Sequence, residues 1–142
     1  MNSPLWAQMH GGVTHFPVAL LIASVLFDMI GHIVNRDPVS RDLRAAAFYA
    51  LLLGALASFA AVLTGLILTN WEVFGTGLLG KHHRFIWPAF GLMVGLAVWR
   101  LYVRERASRK SFTIYLGIAL LAAALMAAAG YWGGEMVLGA GA

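Results

Sequence analysis

Four long apolar stretches separated by short polar segments run along the chain, and their lengths decide what they can be. The first, from about Phe16 to Val34, is interrupted only by Asp28 and by His32 near its far end. At the helical rise per residue it reaches roughly 30 Å, the thickness of a bilayer's hydrocarbon core. Leu43 to Thr69, His82 to Val103 and Phe112 to about Gly134 repeat the pattern. Between them lie Asn35 to Asp42 with Pro38, then Asn70 to Lys81 with Trp71, Glu72 and three glycines, then the basic Arg104 to Ser111. Ahead of the first span, Ser3 followed by Pro4 is an N-cap and first-turn signal. It predicts a short interfacial helix over Pro4 to Met9, anchored by Trp6 and turned inward at Gly11 and Gly12. The expected fold is all-α: an up-down four-helix transmembrane bundle with that short N-terminal helix, forming a single integral membrane domain over residues 1–142.

Composition supports a membrane protein, since 61% of the residues are hydrophobic and the mean hydropathy is +0.78, beyond what a soluble domain tolerates. The N-terminus lacks the basic n-region of a signal peptide, so the first span is expected to be retained. The net charge of +4 sits in short basic blocks beside apolar runs, where positive-inside topology explains it better than nucleic-acid binding does. Arg36, Arg41 and Arg44 flank the first loop, and Arg100, Arg104, Arg106, Arg109 and Lys110 the third, whereas the second has only Lys81 and Arg84. Both basic loops are therefore expected in the cytoplasm. Both termini and the middle loop then face the periplasmic side of a bacterial inner membrane.

That topology gathers His10, His15, His82, His83, Glu72 and Glu135 near one membrane face. Absence of cysteine excludes disulfides, thiolate metal sites and covalent c-type haem. His15 lies two residues ahead of Pro17 at a helix mouth, and His82 or His83 opens the third span, which in an up-down bundle runs parallel to the first and diagonal to it. Two imidazoles entering from opposite corners suit a bis-histidine b-type haem. Small residues on the intervening helices, Gly65 and the Ala127 to Gly130 run, would make room for it. A zinc or copper site from His15, His83, His10 and Glu135 is chemically open too, and so is the ordinary reading of interfacial histidines bonded to water or backbone. Gly54, Ser58, Ala61 and Gly65, and the pair Gly91 and Gly95, have the spacing of close helix contacts. Asp28 within a span needs a partner, and Arg44 and Arg100 near the same edge are candidates.

His10-Gly-Gly-Val-Thr-His-Phe-Pro17, the later Phe27-Asp28, His83-Arg84, Trp99-Arg100 and Gly130-Tyr-Trp-Gly-Gly-Glu-Met-Val137 together resemble the DUF2231 family of bacterial four-helix membrane proteins over nearly the whole chain. After Val137 the chain departs from the family's Tyr-His and Gly-Val-Gly tail with Leu138-Gly-Ala-Gly-Ala142, so a tail histidine is absent. The association of such proteins with Rieske-type and cytochrome proteins implies membrane redox work. The expectation is an electron-transfer subunit binding haem b between the outer ends of the first and third helices, with His15 and His82 or His83 as ligands and Gly65 and Gly130 beside it. Its partners would be the lipid bilayer, a larger redox complex or cytochrome, and quinone. The alternatives are a cofactor-free accessory subunit of such a complex and an outer-face metal-binding protein.

Overall fold

The computed structural model describes residues 4–34 and 36–139; Ser3, expected as a helix cap, and Asn35, expected to open the first turn, lie outside the described residues. Among the described residues four α-helices follow one another: α1 (Pro4–Val34), α2 (Val39–Leu68), α3 (Gly77–Val103) and α4 (Arg109–Gly139), with a 3-10 turn, Arg104–Arg106, ahead of α4. No strand occurs among the described residues. All four helices are long and apolar enough to cross a membrane.

The separate interfacial helix over Pro4 to Met9 does not form; those residues are the first turns of α1, which continues through Gly11, Gly12 and Pro17. Helix α1 continues because its buried stripe is still met by α2 at this level, where His10 bonds to the Ala61 carbonyl and the Thr64 hydroxyl. Continuity fixes the direction of every side chain on α1. Pro17, Leu21, Ser24, Asp28 and Gly31 form one buried stripe at heptad spacing, and His10 falls on the same stripe one heptad earlier.

The opposing stripe on α2 is Ala47, Leu51, Gly54, Ala55, Ser58, Ala61 and Thr64. Its residues are small, which lets the two backbones approach closely where lipid supplies no hydrophobic drive between helices. Ser40 donates to the Gly31 carbonyl at 2.8 Å near the turn, Ser24 to Ala47 at 2.9 Å midway, and His10 to Ala61 at 3.1 Å at the far end. These contacts make α1 and α2 an antiparallel pair. Likewise His82 contacts Ala129 and Trp99 stacks on Tyr115 with ring centroids 5.2 Å apart, so α3 and α4 pair in the same sense. The two hairpins lie side by side, with Gly54 directly under the Met93 side chain of α3.

Between 28% and 39% of each span's most apolar stretch is buried inside the protein. Most of the apolar surface therefore faces outward, including Leu26, Ile30, Ile33, Leu53, Leu56 and Phe59, as a lipid-facing exterior requires.

Candidate functional site

At the end of the bundle where α1 and α3 begin, three histidines converge. His10 projects from α1 onto α2, where its Nδ1–H is shared between the Ala61 carbonyl at 3.1 Å and the Thr64 hydroxyl oxygen at 3.2 Å. Gly65 is the residue that admits it: a methyl group there would stand 2.9 Å from the His10 Cε1. The open space above Gly65 is thus taken by the imidazole itself.

His82 is the counterpart from α3. Its Nδ1–H donates to the Ala129 carbonyl of α4 at 2.8 Å, and its ring lies over Gly133, whose added methyl would sit 3.6 Å from Nδ1. A carbonyl can only accept, so both His10 and His82 carry their proton on Nδ1 and keep the Nε2 lone pair. Among the described residues neither Nε2 has a hydrogen-bond partner. The two rings are near enough to interact electrostatically.

His83 is arranged in the opposite sense. It is buried, and the Gly75 backbone N–H donates to its Nδ1 at 3.1 Å, which leaves the ring proton on Nε2. The loop that supplies this donor is held tightly, with Asn70 and Trp71 in the left-handed region at φ 53° and 64° and the Trp87 indole donating to Val73 at 2.9 Å. Glu72 on the same loop lies near His83. Of the two adjacent histidines, only His82 has its unprotonated nitrogen free of a hydrogen bond among the described residues.

His15 stands apart from this group. It is exposed on α1, and its Nδ1–H bonds back to the Gly11 carbonyl of its own helix at 2.6 Å. Five residues along a continuous helix is about 140° of rotation, so with His10 directed inward His15 is directed out. Gly130 is exposed with open space where a side chain would be, and Glu135 is half-buried near the end of α4. Among the described residues no three histidine or carboxylate side chains come together as a metal-holding group. The sequence reading did not single out Thr64, the Ala61 and Ala129 carbonyls, or Gly133 as parts of the site.

At the opposite end sits the polar centre built on Asp28. Arg100 pairs with its Oδ2, Tyr115 donates to the same oxygen at 2.9 Å, and the second Arg100 amino group donates to the Arg44 carbonyl at 3.1 Å. Of the two arginines available, Arg100 makes the pair and Arg44 supplies a carbonyl. All three side chains of the centre are buried. His32, one turn beyond Asp28, does not join it but packs against Phe112 at 5.5 Å.

The family model for DUF2231, described as a predicted membrane protein, matches residues 7–142, and the chain belongs to that family. Comparison with curated proteins and with solved structures gives no match.

Proposed function

We propose that this DUF2231 protein is a membrane electron-transfer component whose histidine end would hold one b-type haem, with His10 and His82 as the residues that would bind it. The observation that carries this reading is the tethering of both imidazoles through Nδ1–H to a backbone carbonyl on the neighbouring helix. Such a bond fixes the tautomer, orients the ring and raises the basicity of the free nitrogen, as the outer partners of iron- and zinc-bound histidines do. Two imidazoles would suffice to hold haem, whereas a structural or catalytic zinc ion needs at least three protein ligands and the described residues bring no such group together. His83, with its proton on Nε2, is a donor beside the site rather than a ligand. Haem would supply one-electron chemistry; the chain contributes two oriented imidazoles and a glycine beneath each ring.

The same proposal takes the four helices as one domain crossing a bacterial inner membrane up and down, with both termini on the periplasmic side. The antiparallel pairs and the arginines crowding the end away from the histidines support it. A single cysteine can be introduced at the exposed Arg41, Thr76 or Ser108 of this cysteine-free chain. A membrane-impermeant thiol reagent should label only the Thr76 position in intact cells; labelling at Arg41 or Ser108 instead would invert the topology.

A second reading, a cofactor-free accessory subunit of a larger redox complex, draws on the lipid-facing groove between α3 and α4. Its volume is about 310 Å³, and Gly91, Gly95, Trp99 and Tyr115 line it. Nothing fills the space above either glycine, so a partner helix or the ring of a quinol could lie there. Haem content decides between the two. Protein purified from cells supplied with haem precursor should release about one acid-extractable haem per chain, as noncovalent attachment requires; haem-free protein would overturn the electron-transfer reading and leave the accessory one.

A further inference from the structure

At the end of the bundle away from the histidines, His32 of α1, Arg44 of α2, and Arg109 and Phe112 of α4 line a cavity of about 280 Å³, closed on one side by Ala107. Three basic side chains from three different helices converge on it. Phe112 forms an apolar wall, with the Arg44 guanidinium 5.0 Å from its ring centre and the His32 ring 5.5 Å from it. Among the described residues the only ion pair is the one between Asp28 and Arg100; Arg44 feels the Asp28 charge without contacting it. Among the described residues the Arg44 Nε, which lies out of solvent, has no hydrogen-bond partner. A buried donor of this kind is costly and calls for an acceptor.

From this geometry we infer a binding site for the phosphate group of an anionic ligand, with Arg44 and Arg109 as the charge-assisted donors and His32 beside them. Phosphate oxygens are strong acceptors matched to guanidinium geometry, and one would satisfy the Arg44 Nε. The position of the cavity favours a lipid headgroup as the source. It lies where α1 ends, α2 begins and α4 begins, which is the headgroup level of a bilayer, and basic pockets between spans at that level hold anionic lipids. Its volume is at the lower limit for a small-molecule pocket, enough for a headgroup and not for an acyl chain.

The test uses the full chain in nanodiscs of phosphatidylcholine with a titrated fraction of phosphatidylglycerol, read by thermal unfolding and by counting lipids retained in native mass spectrometry. One retained phosphatidylglycerol and a rise in unfolding temperature are expected. Arg109→Gln, at an exposed first turn where folding is not at stake, should weaken retention by about fivefold, the contribution of one arginine near an anionic surface. His32→Asn and Arg44→Gln should weaken it also. A parallel titration with inorganic phosphate in phosphatidylcholine discs separates the sources: saturable binding lost in Arg109→Gln would assign the site to a soluble phosphate, while lipid-only binding assigns it to the headgroup. Binding of neither ligand, or binding indifferent to Arg109, Arg44 and His32 alike, would overturn the site.

Discussion

Arg100→Met will destabilise the bundle by about 3–5 kcal/mol, the cost of removing one partner from a buried ion pair. Arg100 is 4% exposed and Asp28 fully buried, so the aspartate left behind would have no water to turn to. Tyr115 would still donate to Oδ2, but Oδ1 already has no partner. Arg100 also lies over the rings of Phe48, Phe112 and Tyr115 at 5.9, 5.5 and 5.1 Å, so its loss loosens the junction of α2, α3 and α4 as well. The double variant Asp28→Leu with Arg100→Met should recover most of the stability, because replacing a buried pair with apolar groups of similar size is often neutral. Helicity followed through an SDS titration in mixed micelles measures both. An unchanged midpoint for Arg100→Met would show that the pair does not hold the diagonal helices together.

This centre was half legible in the sequence. An acid inside a span announces a need for a partner, and Arg44 and Arg100 were near enough to be named. Choosing between them required knowing that α1 and α3 meet at that depth, which depends on how the two hairpins pack. The four spans were legible for a simpler reason: helix length and hydropathy are local properties. The end of the N-terminal helix is not, because the Gly11-Gly12 pair reads locally as a breaker, while the contact of His10 with α2 that keeps the helix going is a tertiary one.

The histidine site shows the same division. Its three histidines, the outlying His15 and Gly65 can be found by residue type, but which of His10 and His15 faces the bundle depends on rotation about α1. Taken as a continuous heptad stripe, the run from Asp28 back through Leu21 and Pro17 leads to His10 and passes His15 by. The contact of His10 with Thr64 and Gly65 also had a sequence signal, since these residues lie almost equally far from the turn at Asp37-Pro38 along an antiparallel pair. The choice between His82 and His83 had none. It rests on which carbonyl or N–H each Nδ1 meets, and that is set by α4 for His82 and by the Asn70 to Thr76 loop for His83.

The largest spectroscopic effect is expected at the two proposed ligands. In His10→Ala and in His82→Ala one axial imidazole is lost, so the reduced protein should change from low-spin to high-spin or fail to retain haem. His15→Ala should leave the spectrum unchanged, because that ring bonds only to its own helix and faces outward. His83→Ala should shift the bands slightly while keeping them low-spin, since it removes an N–H donor and not a lone pair. Circular dichroism of each variant separates loss of ligand from loss of fold. The measurement that bears most directly on the account is therefore the dithionite-reduced visible spectrum of the purified wild type beside these four variants. A low-spin b-type spectrum abolished by His10→Ala and by His82→Ala, and retained in His15→Ala, is the expected result; a spectrum that survives both of those changes, or is lost with His15, would contradict it.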